Sequence, residues 1–331
     1  MAIWNRVTTI RGWLGAAFTV FMWGVTFVNT KALLDDFSAL EIHVLRFAIA
    51  YFALTVVGLP GGTGFHKGKL SWRDEALFAG MGFFGVVVYQ LLENCAIHYT
   101  NASNVSILVA LNPVLTALLA WGFGEARRPG VLFFLGFLVA ITGVSMVSLT
   151  GIAEFHFRPL GDLMALGAMV SWGFYSSLVA RVNGKGYPQI WVMRRVFLWA
   201  LVMMIPFVVF GLTPSGATAM SGSFTVTLDS ATNVARFSRA LNFVNLGFLG
   251  LFASAACFVL WNFACGCLGV VRCTVALYLI PVVTVTFAFC FLDEKLTLVS
   301  AAGAVLTIVG VVLSGWCGRD SRKLVEESDD D

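Results

Sequence analysis

The chain has 331 residues, of which 59% are hydrophobic and only 12% charged, roughly half the charge of a soluble domain. No water-soluble fold covers so much apolar surface with so few charges, so the chain reads as an integral membrane protein with little soluble mass. A net charge of +3 is too small to point to a nucleic-acid partner; the charges matter by position.

A membrane-crossing helix needs about 20 mostly apolar residues, and the hydropathy pattern predicts about ten of them. The first follows Arg6 and Arg11 and runs over 12–34. It is too long for a cleaved signal core and no small-residue cleavage site follows it, so it reads as a permanent span. The next four run over 38–58, 74–97, 101–123 and 130–150, and five more over 160–181, 188–211, 240–264, 269–292 and 297–316. Most links are short, so neighbouring helices should pack antiparallel. The exception is 212–237, rich in Gly, Ser and Thr, whose end around Arg236–Leu241 reads as a short amphipathic helix at the interface. From Cys317 the chain is polar, ends in Asp329, Asp330 and Asp331, and reads as a disordered tail over 317–331.

Orientation follows from lysine and arginine. With the N-terminus inside, the inner loops hold Arg6, Arg11, Lys67, Lys69, Arg73, Arg127 and Arg128 in the first half, and Arg181, Lys185, Arg272, Arg319, Arg322 and Lys323 in the second. The outer loops hold only Lys31, Arg158, Arg236, Arg239 and Lys295. The bias predicts a multi-pass protein of the plasma (inner) membrane with both termini cytoplasmic.

The chain also repeats itself. Trp23–Gly24 recurs as Trp172–Gly173 and Arg46 as Arg195, a shift of about 149 positions. After the 212–237 loop the shift is about 168: Asn94 recurs as Asn262 and Pro113 as Pro281, while Glu125 matches Glu294 within one residue. Gly136 and Gly143 match Gly303 and Gly310, a stripe for close packing in the fifth and tenth spans. The halves are therefore 1–150 and 151–316, with five spans each. An odd number of spans puts the second copy in the membrane upside down, and such inverted repeats can rock about a site between them.

Candidate site residues are the polar and aromatic groups at membrane depth. Arg46 and Arg195 are costly there: either they meet an anionic group in a cavity, or they bond backbone carbonyls and hold the bundle. Their presence in both halves favours the structural role, whereas Arg194 has Leu45 as its mate and is the more substrate-specific. Glu93, beside Asn94 and one turn beyond Tyr89, has Trp261 as its mate; it can bind an amine or carry a proton, or simply meet water or an arginine. Trp23 and Thr26 share a helical face, as do Trp172 and Tyr175, which suits either a cavity for a mostly apolar small molecule or helix packing. Tyr89, Trp261, Asn262 and Tyr278 are candidates of the same kind. Glu125 and Glu294 precede spans and read as helix-end acids; Pro113 and Pro281 should kink the fourth and ninth spans.

Other chemistry is missing from the sequence. There is no P-loop, no His-Glu-x-x-His and no Gly-x-Ser-x-Gly elbow. The seven cysteines form no disulfide framework and no metal-ligand spacing. No catalytic residue, metal or cofactor is expected; the expected partners are a small-molecule substrate and the lipid bilayer.

The motifs resemble the drug/metabolite transporter superfamily, specifically EamA-type transporters, over about 12–316. The resemblance is carried by Trp23-Gly24-x-x-Phe27, by Arg46–Phe47, and by the block from Ala96, Tyr99, Thr100, Ala102 and Ser103 through Pro113 to Glu125, echoed from Asn262 through Pro281 to Glu294. It implies an all-α basket of two inverted five-helix repeats, with a cavity formed by spans 1–4 and 6–9 and with spans 5 and 10 as braces. It also implies export of amino acids, other metabolites or drugs. The chain departs from the pattern at the doubled Arg194–Arg195 and at the long 212–237 loop. The reading is a secondary-type exporter of small metabolites such as amino acids, working by alternating access; the alternatives are an integral-membrane enzyme and a passive channel or scaffold.

Overall fold

The computed structural model describes residues 2–58, 70–99, 108, 111–124, 126, 128–148, 159–211, 226, 230–283, 286 and 297–316. Among these residues the regular structure is all helical. In the first half, α1 is Ala2–Leu33, α2 Ala39–Gly58, α3 Trp72–Gly82, α4 Tyr89–Tyr99, α5 Asn112–Gly122 and α6 Val131–Ser148. In the second, α7 is Pro159–Asn183, α8 Gln189–Gly211, α9 Ser230–Phe237, α10 Ala240–Gly247, α11 Cys257–Leu268, α12 Val270–Val275 and α13 Leu298–Trp316. Five helical stretches are long and apolar enough to cross a bilayer: Ala39–Gly58, Trp72–Glu93, Pro159–Asn183, Gln189–Phe210 and Ala240–Leu268. Val131–Val147, Val270–Val283 and Leu298–Ser314 are shorter apolar helices.

Local chemistry sets several boundaries. The first helix starts ten residues ahead of its apolar run, because no Gly or Pro interrupts 2–11. Ser38 and Glu41 form a capping box at the start of α2: the Ser38 amide donates to Glu41 Oε2 (2.9 Å) and the Glu41 amide to Ser38 Oγ (3.1 Å). Ser71 caps α3 in the same sense. Pro113 stands in the first turn of α5, where a missing N–H costs least, so it opens a helix where the sequence suggested an interior kink. Pro281 follows a 3₁₀ turn over Ala276–Leu279. Glu125 and Glu294 lie outside the described residues.

The repeat appears in the packing. The first helix packs on α11, and its mate α7 packs on α4, the mate of α11. The helices α2 and α8 cross each other at the centre. Each also crosses a π-helical segment of the opposite half: α8 meets Phe83–Val88, between α3 and α4, and α2 meets Phe248–Ala256, between α10 and α11. The close approaches use matched glycines. At Gly82 an added Cβ would meet the Val196 carbonyl at 2.7 Å, and at Gly250 it would meet Ile49 and the Arg46 carbonyl. Single π-turns inside α-helices are frequent at functional sites, and here they flank the centre of both halves. The helices α6 and α13 form a separate tight pair, with Gly136 on Ser314 and Gly143 on Thr307.

Polar contacts join the halves at both ends of α2. At its start, Asp36 accepts from Arg239 Nη1 (2.7 and 2.8 Å) and from Asn242 Nδ2 (2.8 Å). Beside them Arg236 makes a bidentate, buried pair with Glu41 at 2.9 Å, with its guanidinium over the Phe37 ring at 4.5 Å. Near the other end, Lys185 pairs with Asp74 at 2.7 Å and the Tyr187 hydroxyl donates to Asp74 (2.9 Å). The Asn242 amide, then Arg239, hold the Asp36 carboxyl below the ordinary carboxylate range. A depressed folded pKa contributes stability that is present above the unfolded value and is lost as pH falls through the folded one. The thermal midpoint of the protein should therefore exceed that of Asp36→Asn by a constant margin above about pH 5, and the margin should shrink on acidification below about pH 4. A margin that stays flat across that range would show that the carboxylate charge plays no part.

Candidate substrate site

Four helices converge on one aromatic cluster. Trp23 comes from α1, Trp172 and Tyr175 from α7, Tyr89 from α4, and Phe258 and Trp261 from α11. Trp23 meets Trp172 edge-on (5.7 Å, 81°), Phe258 at 5.6 Å and Trp261 at 5.3 Å. Trp172 meets both Tyr89 and Tyr175 at 5.0 Å. Edge-on and tilted pairs favour ring quadrupoles over face-to-face stacks, so the cluster is held in a fixed shape. Trp172, Tyr175, Trp261 and Asn262 are buried, while Trp23, Tyr89 and Glu93 keep some exposed surface.

The hydrogen bonds within this cluster are unequal. Trp23 Nε1 donates to the Ala253 carbonyl (2.9 Å) in the π segment of α11's span. The symmetric acceptor region for Trp172 is the π segment Phe83–Val88, but there Ser171 Oγ already donates to the Phe84 carbonyl (2.7 Å). Trp172 Nε1 has no acceptor among the described residues, although its residue is 4% exposed. A buried donor without a partner costs about 1–3 kcal/mol, so this N–H is a place where a bound molecule gains. Asn262 is used up internally: its amide donates to Tyr175 Oη (2.8 Å) and to the Phe258 carbonyl (2.7 Å). Thr26 bonds its own helix at the Trp23 carbonyl (2.7 Å).

The charges are unequal too. Arg195 Nη2 pairs with Glu75 Oε1 at 2.6 Å, and Trp199 Nε1 donates to the same oxygen at 2.6 Å. Its mate Arg46 donates through Nε to Ser254 Oγ (2.9 Å) and lies beside the Phe47 ring. Among the described residues Arg46 makes no ion pair, though its charge acts on Glu93. Glu93 accepts from the Tyr89 hydroxyl at 3.0 Å. The second half's arginine is thus neutralised across the halves by Glu75, while the first half's Arg46 and Glu93 form no ion pair with each other beside the aromatic cluster.

Of the sequence candidates, the structure brings together Trp23, Tyr89, Glu93, Trp172, Tyr175, Trp261, Asn262 and Arg46. Tyr278 is elsewhere, buried with Ala117, Phe133 and Val144. Arg194 is half-buried beside the Glu75 partner Arg195. Asn94 lies on α4, but its side chain is outside what the structure describes. Ser254, Ser171 and Glu75 were invisible to the sequence reading: small hydroxyls look like packing residues, and Glu75 sits far in sequence from the arginine it meets.

The EamA-like transporter family model matches residues 10–149 and again 159–316. Among similar proteins is a probable terminal-alkyne amino-acid exporter of Streptantibioticus cattleyicolor, 27% identical over 89% of this chain and 90% of that one. A probable amino-acid metabolite efflux pump of Escherichia coli is 28% identical over 90% and 93%, and an uncharacterized transporter of Archaeoglobus fulgidus 24% over 92% and 98%. One crystal structure superposes with a TM-score of 0.70 at 17% identity, covering 96% of this chain and 99% of the other, which shows that the fold is one already seen in a crystal.

Proposed function

Because the chain belongs to the EamA-like transporter family and is a multi-pass transporter of small molecules rather than an enzyme, we propose that it exports amino acids or closely similar zwitterions by alternating access. The observation that carries this reading is the unequal centre: among the described residues Arg46 has no ion pair and the Trp172 N–H no acceptor, and Glu93 is held by Tyr89 beside an aromatic wall. A carboxylate fits Arg46 and the Trp172 indole, an ammonium fits Glu93, and an apolar side chain fits the rings. The names of two relatives, an amino-acid exporter and an amino-acid metabolite efflux pump, point the same way. The ten-span, inverted-repeat topology belongs to this proposal. So do two halves at 1–150 and 151–316 and the cytoplasmic placement of both termini, which the lysine and arginine bias supports.

Counterflow in proteoliposomes preloaded with mixed amino acids tests it, read with one labelled amino acid at a time. The expected result is accumulation of at least one label. Trp172→Phe keeps a ring and removes the N–H, so half-saturation should rise about ten-fold or more, as expected on losing a hydrogen bond to a charged group. Accumulation of no amino acid would sink the substrate class, and an unchanged half-saturation in Trp172→Phe would remove the indole from it.

A further inference from the structure

The two polar closures at the ends of α2 are one contact made twice. The shift of about 149 that carries Trp23 onto Trp172 carries Asp36 onto Lys185. The shift of about 168 that carries Asn94 onto Asn262 carries Asp74 onto Asn242, and Ser71, the cap of α3, onto Arg239, the cap of α10. Asp36 is bonded to Asn242 and Lys185 to Asp74. Each contact joins the corner after the first helix of one half to the start of the third span of the other half. The 20 residues of α2 separate the two contacts by about 30 Å, so they lie at opposite ends of the bundle with the aromatic cluster between them.

We propose that Asp36–Asn242 and Asp74–Lys185 are the two gate contacts of the transport cycle, one broken in each open state, and that Arg236 and Arg239 bias the resting protein towards closure at the Asp36 end. This rests on the carrier reading above. Three observations argue for it. First, both contacts bridge the two halves, which are the bodies that an inverted-repeat carrier moves. Second, the Lys185 side chain is 43% exposed and that of its partner Asp74 10%. A partly exposed pair adds little to global stability, so its natural effect is on the balance between conformers. Third, the ends are unequal. At the Asp36 end the Arg236–Glu41 pair has both side chains at most 7% exposed, with Arg236 between Phe37 and Phe237. Arg236 sits on α9, which closes the long 212–237 loop, and this connection is about 19 residues longer than its first-half counterpart, the growth of the repeat shift from about 149 to about 168. At the Asp74 end Lys185 and Tyr187 bond Asp74, and the neighbouring Glu75–Arg195 pair, with side chains 20% and 33% exposed, is less enclosed than Arg236–Glu41, so this end opens first.

Cys257 is a native reporter of opening. It is fully buried at the start of α11, and the shift of about 168 makes it the mate of Tyr89 at the centre. A membrane-impermeant maleimide is added either to intact cells or to inverted vesicles carrying the full chain. Modification of Cys257 is read by peptide mass spectrometry, which separates it from Cys265, Cys267 and Cys273. Lys185→Gln should raise labelling about three- to five-fold from the Asp74 face alone, and the exchange of Asp74→Lys with Lys185→Asp should bring it back. Asn242→Ala, or Asp36→Asn where that variant is poorly made, should raise labelling from the opposite face alone. Equal labelling in all variants, or the same face responding to both lesions, would overturn the gate assignment. The readout needs no substrate: face-specific labelling without amino-acid counterflow would sink the substrate class and leave the gates standing.

Discussion

Gly310→Leu is expected to leave almost no folded protein in detergent, whereas Gly122→Ala is expected to change nothing. At Gly310 an added Cβ would meet the backbone of Ala140 on the facing helix at 2.6 Å from its Cα, and at Gly122 it meets nothing within 4 Å. Backbone atoms cannot yield as a flexible side chain does, so the extra carbons of leucine must push α6 and α13 apart. Overpacking costs about 1–3 kcal/mol even where side chains can shift, and here the loss extends along the whole Gly136–Ser314 and Gly143–Thr307 contact. In lipid no hydrophobic drive holds such a pair together; van der Waals contact does. A monodisperse size-exclusion peak and a thermal midpoint near that of the unaltered protein in Gly310→Leu would show that the pair is not a brace.

The same glycines show what the sequence made legible. Gly136, Gly143, Gly303 and Gly310 are matched in spacing, and the structure places them face to face. Trp23 and Trp172 were readable as site candidates because they repeat in register, and Trp261 because it is a large aromatic residue at membrane depth opposite Glu93; the three do meet. The gate contacts were written in the same repeat, since Asp36 and Lys185 are mates. They went unread because the pairing runs across halves and the two members differ in charge. The π segments have no compositional signature; Phe83–Val88 and Phe248–Ala256 look like any apolar stretch, and only the crossing at Gly82 and Gly250 reveals them. Tyr278 shows the converse limit. Its register made it a cavity candidate, but the turn of the chain after Gly269, where φ is +87°, is followed by a helix that carries it into a different cluster.

The two repeat-related arginines should respond to the same substitution in opposite ways. Arg46→Gln removes a charge whose described polar partner is the neutral Ser254 hydroxyl, so among the described residues no ion-pair partner is stranded and the fold should survive with a thermal midpoint close to normal. If Arg46 holds the substrate carboxylate, half-saturation in counterflow should rise about a hundred-fold, the scale of losing a charge-assisted contact of about 3 kcal/mol. Arg195→Gln strands the Glu75 carboxylate with Trp199 as its remaining described donor, and its Oε2 is already without a partner among the described residues. Leaving a largely buried charge under-satisfied costs about 1–3 kcal/mol, so here the thermal midpoint should fall while the surviving protein keeps its half-saturation. Arg46→Gln that transports normally would return Arg46 to the purely structural role its repetition first suggests. Arg195→Gln that keeps its midpoint would show that the Glu75 pair is not what fixes α8 to α3. Repetition alone cannot assign these roles, because it preserves the arginine and not the acid that meets it: Glu75 has Phe243 as its mate. The proposed substrate contacts at Arg46 and Glu93 therefore sit where the two copies stop matching, while the gates sit where they match.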